Sequence, residues 1–434
     1  MRKNVLIIAN LFYASPRIPG ITKYLPDFGW QATVLSVPVK NGAEKGLLLP
    51  SGFEKKVRIV ETPYKGDIFV FWRKIFKLLG FSTRKSILGQ AKEKIGDGSQ
   101  KSFIDSVFNL YETIFGYPDE EKKWKKPALK TAIELLEKEK FDAVISSSSP
   151  VTTHAIANLL KKKTKIPWVA DFRDLWTQNH NYPYFWIRKI FETRLEKRTL
   201  SSADALITVS DPWRRKLEKM HKRKSAYTVT NGFDPEEASV ETDLTDKFTI
   251  TYTGQIYSGK QDPTKIMAAL KSLILDKKIE QERVELRFYG PENNWLGKKI
   301  EEYGLSKVAK QYGKMPREIS LQKQKESQVL LLLNWESEKE RGVYTGKIFE
   351  YLASRRPIIS TGGFGGDVVE DLIRETKTGA YAVTIDDIKE VLERFYSEYK
   401  RTGKVSYNGD VKKINQYSYQ EAAKKIAGVL DKVT

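Results

Sequence analysis

Residues 341–363 read RGVYTGKIFEYLASRRPIISTGG, and the rest of the chain takes its meaning from this stretch. Gly342 and Gly346 bracket Thr345, which suits a helix N-cap. Ile348, Phe349, Tyr351 and Leu352 then recur at helical spacing until Arg356-Pro357 stops the helix. A short strand, Pro357-Ile358-Ile359-Ser360, follows at once. A helix that opens on small, polar residues leaves backbone N–H groups unsatisfied at the positive end of its dipole, an arrangement suited to a phosphate. Glu350 stands about one and a third turns further on, within reach of the vicinal hydroxyls of a ribose whose diphosphate sits at Thr345 and Gly346. The same letters also describe an ordinary amphipathic helix with a solvated Glu350.

At 434 residues the chain exceeds one compact core and suits two domains of about 200 residues each. Its 40% hydrophobic and 30% charged residues are a globular balance. The absence of cysteine excludes a disulfide framework, a thiolate metal site and a thiol nucleophile. His154, His180 and His221 are too scattered for a histidine-rich metal site. The apolar run Val5–Ala9 is far shorter than a signal-peptide core and reads as a buried first strand, and no window approaches the ~20 apolar residues of a membrane span. A cytoplasmic location is therefore expected. A net charge of +20 calls for an anionic partner, and nucleic acid, an anionic bilayer and a phosphorylated substrate all qualify.

Working outward, the first half alternates short β-rich segments (Val5–Ala9, Ala32–Val37, Val57–Thr62, Ala143–Ser147, Trp168–Phe172, Ala205–Val209, Ala226–Thr230) with amphipathic helices such as 127–138 and 152–161. This predicts an α/β fold with a parallel sheet covered on both faces, whose ligands bind at the carboxyl ends of the strands. The loop 10–21 after the first strand, with Pro16, Arg17, Pro19 and Gly20, falls where such a fold places a substrate loop. It lacks the GxGxxG of a dinucleotide-binding turn, which argues against an NAD enzyme. Residues 231–247, NGFDPEEASVETDLTDK, have no apolar periodicity and read as a linker. The alternation restarts with 248–253, a helix over 264–275, then 284–289, 329–333, 358–361 and 380–383. The domains are thus placed at 1–232 and 247–414, with a cleft between them and a terminal helix within 415–434 whose Ala422, Ala423, Ile426, Val429 and Leu430 share a face.

Residues 65–94 carry eight basic residues against two acidic, with Ile68, Trp72, Ile75, Phe76 and Leu79 on one helical face. The pattern over 68–85 fits a helix lying on an anionic membrane surface, or equally one packed on its own domain with a solvated basic face.

GKIFEYLASRRPII resembles the donor-site helix of GT-B glycosyltransferases, specifically the large retaining family 4. That family carries two glutamates eight positions apart. The second matches Glu350, whereas Gly342 occupies the place of the first. Further likeness lies in FDAVISSSSP at 141–150 followed by Thr152-Thr153-His154, in WVADFRDLW at 168–176, and in ADALITVS at 203–210 with VTNGFD at 229–234. The likeness implies two Rossmann-like α/β/α domains, the first holding the acceptor and the second a nucleotide-sugar, with the terminal helix packing back on the first.

On that likeness, Arg173, Asp174 and His154 are the candidate catalytic or acceptor-side residues, with Arg17 and Gly20 on the acceptor-side loop. Two carboxylates, Asp171 and Asp174, flanking a guanidinium can orient sugar hydroxyls and stabilise charge at an anomeric carbon, although Asp171, nearest the sheet, better fits a structural Asp–Arg pair. The donor candidates are Gly254, Gln255, Lys260, Tyr289, Met315, Tyr344, Thr345, Gly346, Lys347 and Glu350. Gln255 stands where the family has an arginine on the diphosphate, and Arg341 or Lys347 are candidates to replace its charge. No Asp-x-Asp occurs, so no metal or other cofactor is expected.

The implied activity is transfer of a hexosyl or N-acetylhexosaminyl group from a nucleoside-diphosphate sugar to a lipid-linked or polysaccharide acceptor, as in capsule, O-antigen or exopolysaccharide synthesis, on the inner membrane leaflet. Rival readings are a sugar-nucleotide epimerase of the same fold, a non-catalytic GT-B scaffold, and a basic nucleic-acid-binding protein. The last lacks any recognised binding motif, so no specific nucleic acid is expected.

Overall fold

The structure is a computed structural model and describes residues 2–11, 16–38, 53, 57–64, 66, 116–179, 181–182, 184–239 and 242–434. The candidate membrane segment 68–85 and His180 lie outside the described residues. The chain divides into two compact units. One holds the described residues up to Thr230 together with Tyr419–Thr434, and the other holds Asn231–Ser418.

In the first unit the strands are β1 (Lys3–Ala9), β2 (Trp30–Ser36), β3 (Arg58–Glu61), β4 (Ala143–Ser148), β5 (Trp168–Phe172), β6 (Ala205–Thr208) and β7 (Ser225–Thr228). They form a parallel sheet in the order β3-β2-β1-β4-β5-β6-β7. Helices α1 (Arg17–Tyr24), α2 (Lys125–Lys138), α3 (Thr152–Thr164), α4 (Trp186–Leu200) and α5 (Asp211–Met220) supply connections. From Val5 onward β1 is buried on both faces, which is why it reads as an unbroken apolar run. Val5, Ile7 and Ala9 share a core with Ile145, Val169, Ile207 and the Tyr419, Ala423, Ile426 and Leu430 side chains of the C-terminal helix Tyr419–Val433.

The second unit repeats the plan with β8 (Phe248–Thr253), β9 (Val284–Tyr289), β10 (Ala309–Gln311), β11 (Val329–Leu333), β12 (Ile358–Thr361) and β13 (Gly379–Ala382). Its sheet is again parallel, in the order β10-β9-β8-β11-β12-β13. The helices are α6 (Thr264–Leu275), α7 (Asn294–Glu302), α8 (Arg317–Lys325), α9 (Gly346–Ser354), α10 (Val368–Thr376), α11 (Ile385–Thr402) and the short α12 (Val411–Asn415). Period-two alternation splits β11 between two cores. Val329, Leu331 and Leu333 face one side with Ile250 and Leu286, while Leu330 and Leu332 face the other with Phe349, Leu352 and Leu372.

In each unit the chain runs outward from the central strand, returns and continues on the other side. The strand order reverses between β1 and β4 in one and between β8 and β11 in the other, the Rossmann arrangement. Ligands of such sheets bind beyond the carboxyl ends of the strands flanking the reversal. Among the described residues, no helix is long and apolar enough to cross a membrane.

Candidate functional site

In the first unit the sequence candidates gather at the ends of β4 and β5, held in register by Ser147 opposite Asp171 and Ser148 opposite Phe172. Asp171 is fully buried and accepts from Arg17 Nη2 at 2.8 Å, from Arg17 Nε at 3.2 Å and from Ser147 Oγ at 2.8 Å. Burial pushes its carboxyl up, but the Arg17 guanidinium and the Ser147 hydroxyl outweigh that and hold it below the usual carboxylate range. Arg17 Nη1 also donates to the Thr230 carbonyl at 2.7 Å, so its fork ties α1 to the far side of the sheet.

One expectation is corrected here. Arg17 and Gly20 lie in α1 and not in a loop, and both are structural there. Arg17 is sealed in its ion pair, and a Cβ on Gly20 would come within 2.3 Å of the Tyr419 ring. The guanidinium paired with Asp171 is that of Arg17, which makes Asp171 one half of a structural Asp–Arg pair as the sequence suggests. Arg173 instead closes the end of β4, its Nε donating to the Ser148 carbonyl at 2.8 Å and Nη2 to that of Ser149. Asp174 is exposed just beyond the strand.

His154, in the first turn of α3, is fully buried with its ring centroid 4.5 Å from that of Phe172. Its Nδ1 lies 2.7 Å from Ser146 Oγ, which accepts from Trp168 Nε1 at 2.8 Å. Trp168 fills one of the two acceptor sites on Ser146 Oγ, which leaves the hydroxyl free either to donate to Nδ1 or to accept from it. Burial pushes the imidazole pKa down to about 3, with Arg173 adding to the effect against Asp171. His154 is therefore neutral, and its buried Nε2 has no hydrogen-bond partner; neither has the buried Ser148 Oγ.

In the second unit the sequence candidates gather around the ends of β8 and β9 and the start of α9. Gly254 has φ +104 and donates to the Tyr289 carbonyl at 2.6 Å. Gly290 backs onto it so closely that a Cβ would stand 2.2 Å from the Gly254 carbonyl oxygen. Tyr289 stacks on Tyr312 with centroids 4.8 Å apart, and Met315 is half-buried beyond them. Lys347 supplies a positive charge at the turn. Its Nζ is 3.5 Å from the Gln255 carbonyl and 5.1 Å from the Tyr252 ring centroid, whereas Arg341 is engaged with Glu338 at 3.3 Å. Lys260 lies 3.8 Å from the buried Glu340 and 5.7 Å from the Trp335 ring centroid. Burial pushes Glu340 above the usual carboxylate range, against the pull of Lys260.

Thr345 and Gly346 open α9 as the sequence predicts. The Thr345 side chain does not cap the helix, and its buried Oγ1 has no hydrogen-bond partner. Tyr344 packs edge-on against Phe349. On the next turn, Glu350 accepts from Gln324 Nε2 at 3.3 Å and stands 3.8 Å from Arg317 Nε, while Arg317 forms a two-point pair with Glu237 at 3.0 Å. Burial raises the Glu350 carboxyl above its ordinary value, with Arg317, Gln324 and Lys347 working the other way. Sequence reasoning missed Arg317 and Gln324 as neighbours of the site. Arg317 and Gln324 follow one another at helical spacing on α8, but only the fold puts that helix beside α9. Among the described residues no group of histidine, aspartate or glutamate side chains is arranged to hold a metal ion.

Residues 101–237 match the family model described as Glycosyltransferase Family 4. No curated protein matches the sequence. Among solved structures the chain is similar to a glycosyltransferase from Rickettsia africae ESF-5, at TM-score 0.61 and 13% identity over 100% of this chain and 98% of that one. It is also similar to sucrose-phosphate synthase from Thermosynechococcus elongatus, at TM-score 0.59 and 11% identity over 99% of each chain. A UDP-N-acetylglucosamine 2-epimerase matches at TM-score 0.53 and 12% identity over 99% of this chain and 96% of that one. At these identities the likeness concerns the fold, which is GT-B, and that fold serves both sugar transfer and epimerisation in the proteins it resembles.

Proposed function

We propose that this GT-B chain is a glycosyltransferase that moves a hexosyl or N-acetylhexosaminyl group from a nucleoside-diphosphate donor to a hydroxyl of a lipid-linked or polysaccharide acceptor in cell-surface glycan synthesis. The observation that carries the reading is the start of α9. The unpartnered Thr345 hydroxyl, the N-terminal end of the helix dipole and the Lys347 ammonium beside Gln255 make one anion-binding corner, with the Glu350 carboxylate about a turn beyond it. A diphosphate at that corner places its ribose hydroxyls against Glu350, which accepts their protons in hydrogen bonds. The Tyr289–Tyr312 stack offers an aromatic surface to the base.

Chemistry follows from where charge develops. As the bond between the anomeric carbon and the diphosphate oxygen breaks, negative charge grows on the leaving group, and the helix start, Lys347 and Lys260 stabilise it without a metal ion. If the configuration is retained, the acceptor hydroxyl attacks from the face the diphosphate leaves, and its proton passes to a diphosphate oxygen. No side-chain base is then required. On the acceptor side, the exposed Asp174 is available to sugar hydroxyls, whereas the His154 ring is fully buried.

The reading is tested by incubating the protein with UDP-, GDP- and CDP-sugars and measuring nucleoside diphosphate release without acceptor. Slow release from one donor supports it. A sugar-nucleotide that is epimerised with its diphosphate intact points to the epimerase reading, and inertness towards every donor points to a non-catalytic scaffold.

A further inference from the structure

Helix α4 is built inside out. Its buried positions include Arg188, Glu192 and Glu196, while Phe185, Trp186, Ile187, Ile190 and Phe191 are 43–70% exposed at its first two turns. A surface helix of a soluble protein does the reverse, and five large apolar side chains in one patch exceed the scattered exposure that is ordinary.

The inward polar face is fixed by its partners. Arg188 Nε donates to Glu192 Oε1 at 2.6 Å, and its Nη2 donates to the carbonyls of Gly116 at 3.1 Å and Pro118 at 3.2 Å. Its guanidinium lies 3.3 Å from the Tyr184 ring centroid. Glu192 accepts from Trp176 Nε1 at 3.2 Å, and Glu196 accepts from the Thr177 amide at 3.0 Å. Rotating the helix to bury its aromatic face would break these bonds and strand buried charges, so the apolar face is held outward.

The charges say what covers it. Both carboxylates of α4 are buried, so the charged side chains it leaves exposed, Lys189, Arg194, Lys197 and Arg198, are all positive. A second copy docking by the same face would set these cations against one another. An anionic surface would instead pair with them, and the net charge of +20 favours approach to it. We propose that this face of α4 docks on an anionic lipid bilayer. The Phe, Trp and Ile side chains enter the boundary between headgroups and acyl chains, and the four cations meet lipid phosphates. The proposal stands apart from the donor-site reading and from the 68–85 segment.

The test is cosedimentation of the full chain with vesicles of phosphatidylcholine alone and of phosphatidylcholine with phosphatidylglycerol. The wild type is expected to bind the anionic vesicles more strongly, and less so as salt rises. A Trp186→Ser/Phe191→Ser double variant should lose about tenfold or more in partitioning. Its melting temperature should be unchanged, since both side chains are exposed. An Arg194→Gln/Lys197→Gln/Arg198→Gln variant should lose the preference for phosphatidylglycerol. The proposal is overturned if the wild type binds neither vesicle or if the double variant binds as well as the wild type. It is equally overturned if the double substitution abolishes self-association in sedimentation while leaving vesicle binding intact, which would make the face an interface between copies.

Discussion

Arg17 and Asp171, 154 positions apart in the chain, close a two-point ion pair in which neither side chain reaches solvent. The pair fastens α1 to the end of β5 and leaves Arg173 to the carbonyls of β4. Removing one partner strands a buried charge, so Arg17→Met should cost about 3–5 kcal/mol in denaturant unfolding. Arg17→Met with Asp171→Leu should recover most of that loss, because the stranded carboxylate is gone. A double variant as unstable as the single one would mean that the packing of α1, and not the charge, sets the cost.

His154 gives the first unit a defined response to acid. Its folded pKa of about 3 lies below the ordinary value of 6.5. Between those pH values the unfolded chain binds a proton that the folded chain refuses. Stability therefore falls as pH drops through that window, by about 1.4 kcal/mol per pH unit from this group. A His154→Gln variant should lose stability less steeply than the wild type over the same window. Parallel slopes in urea melts at stepped pH would show that the imidazole titrates without unfolding.

Lys260 is shared with Glu340, whose carboxylate stands 3.8 Å away. That carboxylate competes with any phosphate for the ammonium. Glu340→Gln should therefore tighten binding of a nucleoside diphosphate by roughly threefold or more, and Lys260→Ala should weaken it by about tenfold, equivalent to about 1.4 kcal/mol. Isothermal titration of both variants checks the signs. Weaker binding by Glu340→Gln would mean that the carboxylate holds the site in shape.

The fold was legible where burial is two-sided. Val5–Ala9 and Val329–Leu333 are apolar on both faces, so their letters announce central parallel strands, and the helix from Gly346 to Ser354 shows its start and apolar stripe directly. The three-residue β10 is too short to display alternation. Helix α4 escaped because its stripe is reversed: charges point inward and aromatics outward, so periodicity alone assigns it the wrong inner face. At the site, Glu350 and Lys347 were readable from their place on one helix. The pairing of Arg17 with Asp171 and the approach of Arg317 to Glu350 depend on distant segments meeting, which no local pattern encodes.

The most direct measurement is a thermal-shift titration of the purified protein with UDP, GDP and CDP, run beside Lys347→Ala and Glu350→Ala. A nucleotide at about 100 times its dissociation constant adds about 2.7 kcal/mol to the folded state, a readily visible rise in Tm. One diphosphate should stabilise the wild type and shift both variants much less, placing the donor between the start of α9 and Glu350. If no diphosphate moves the wild type, or if both variants respond as fully as it does, the donor site is not where these residues put it.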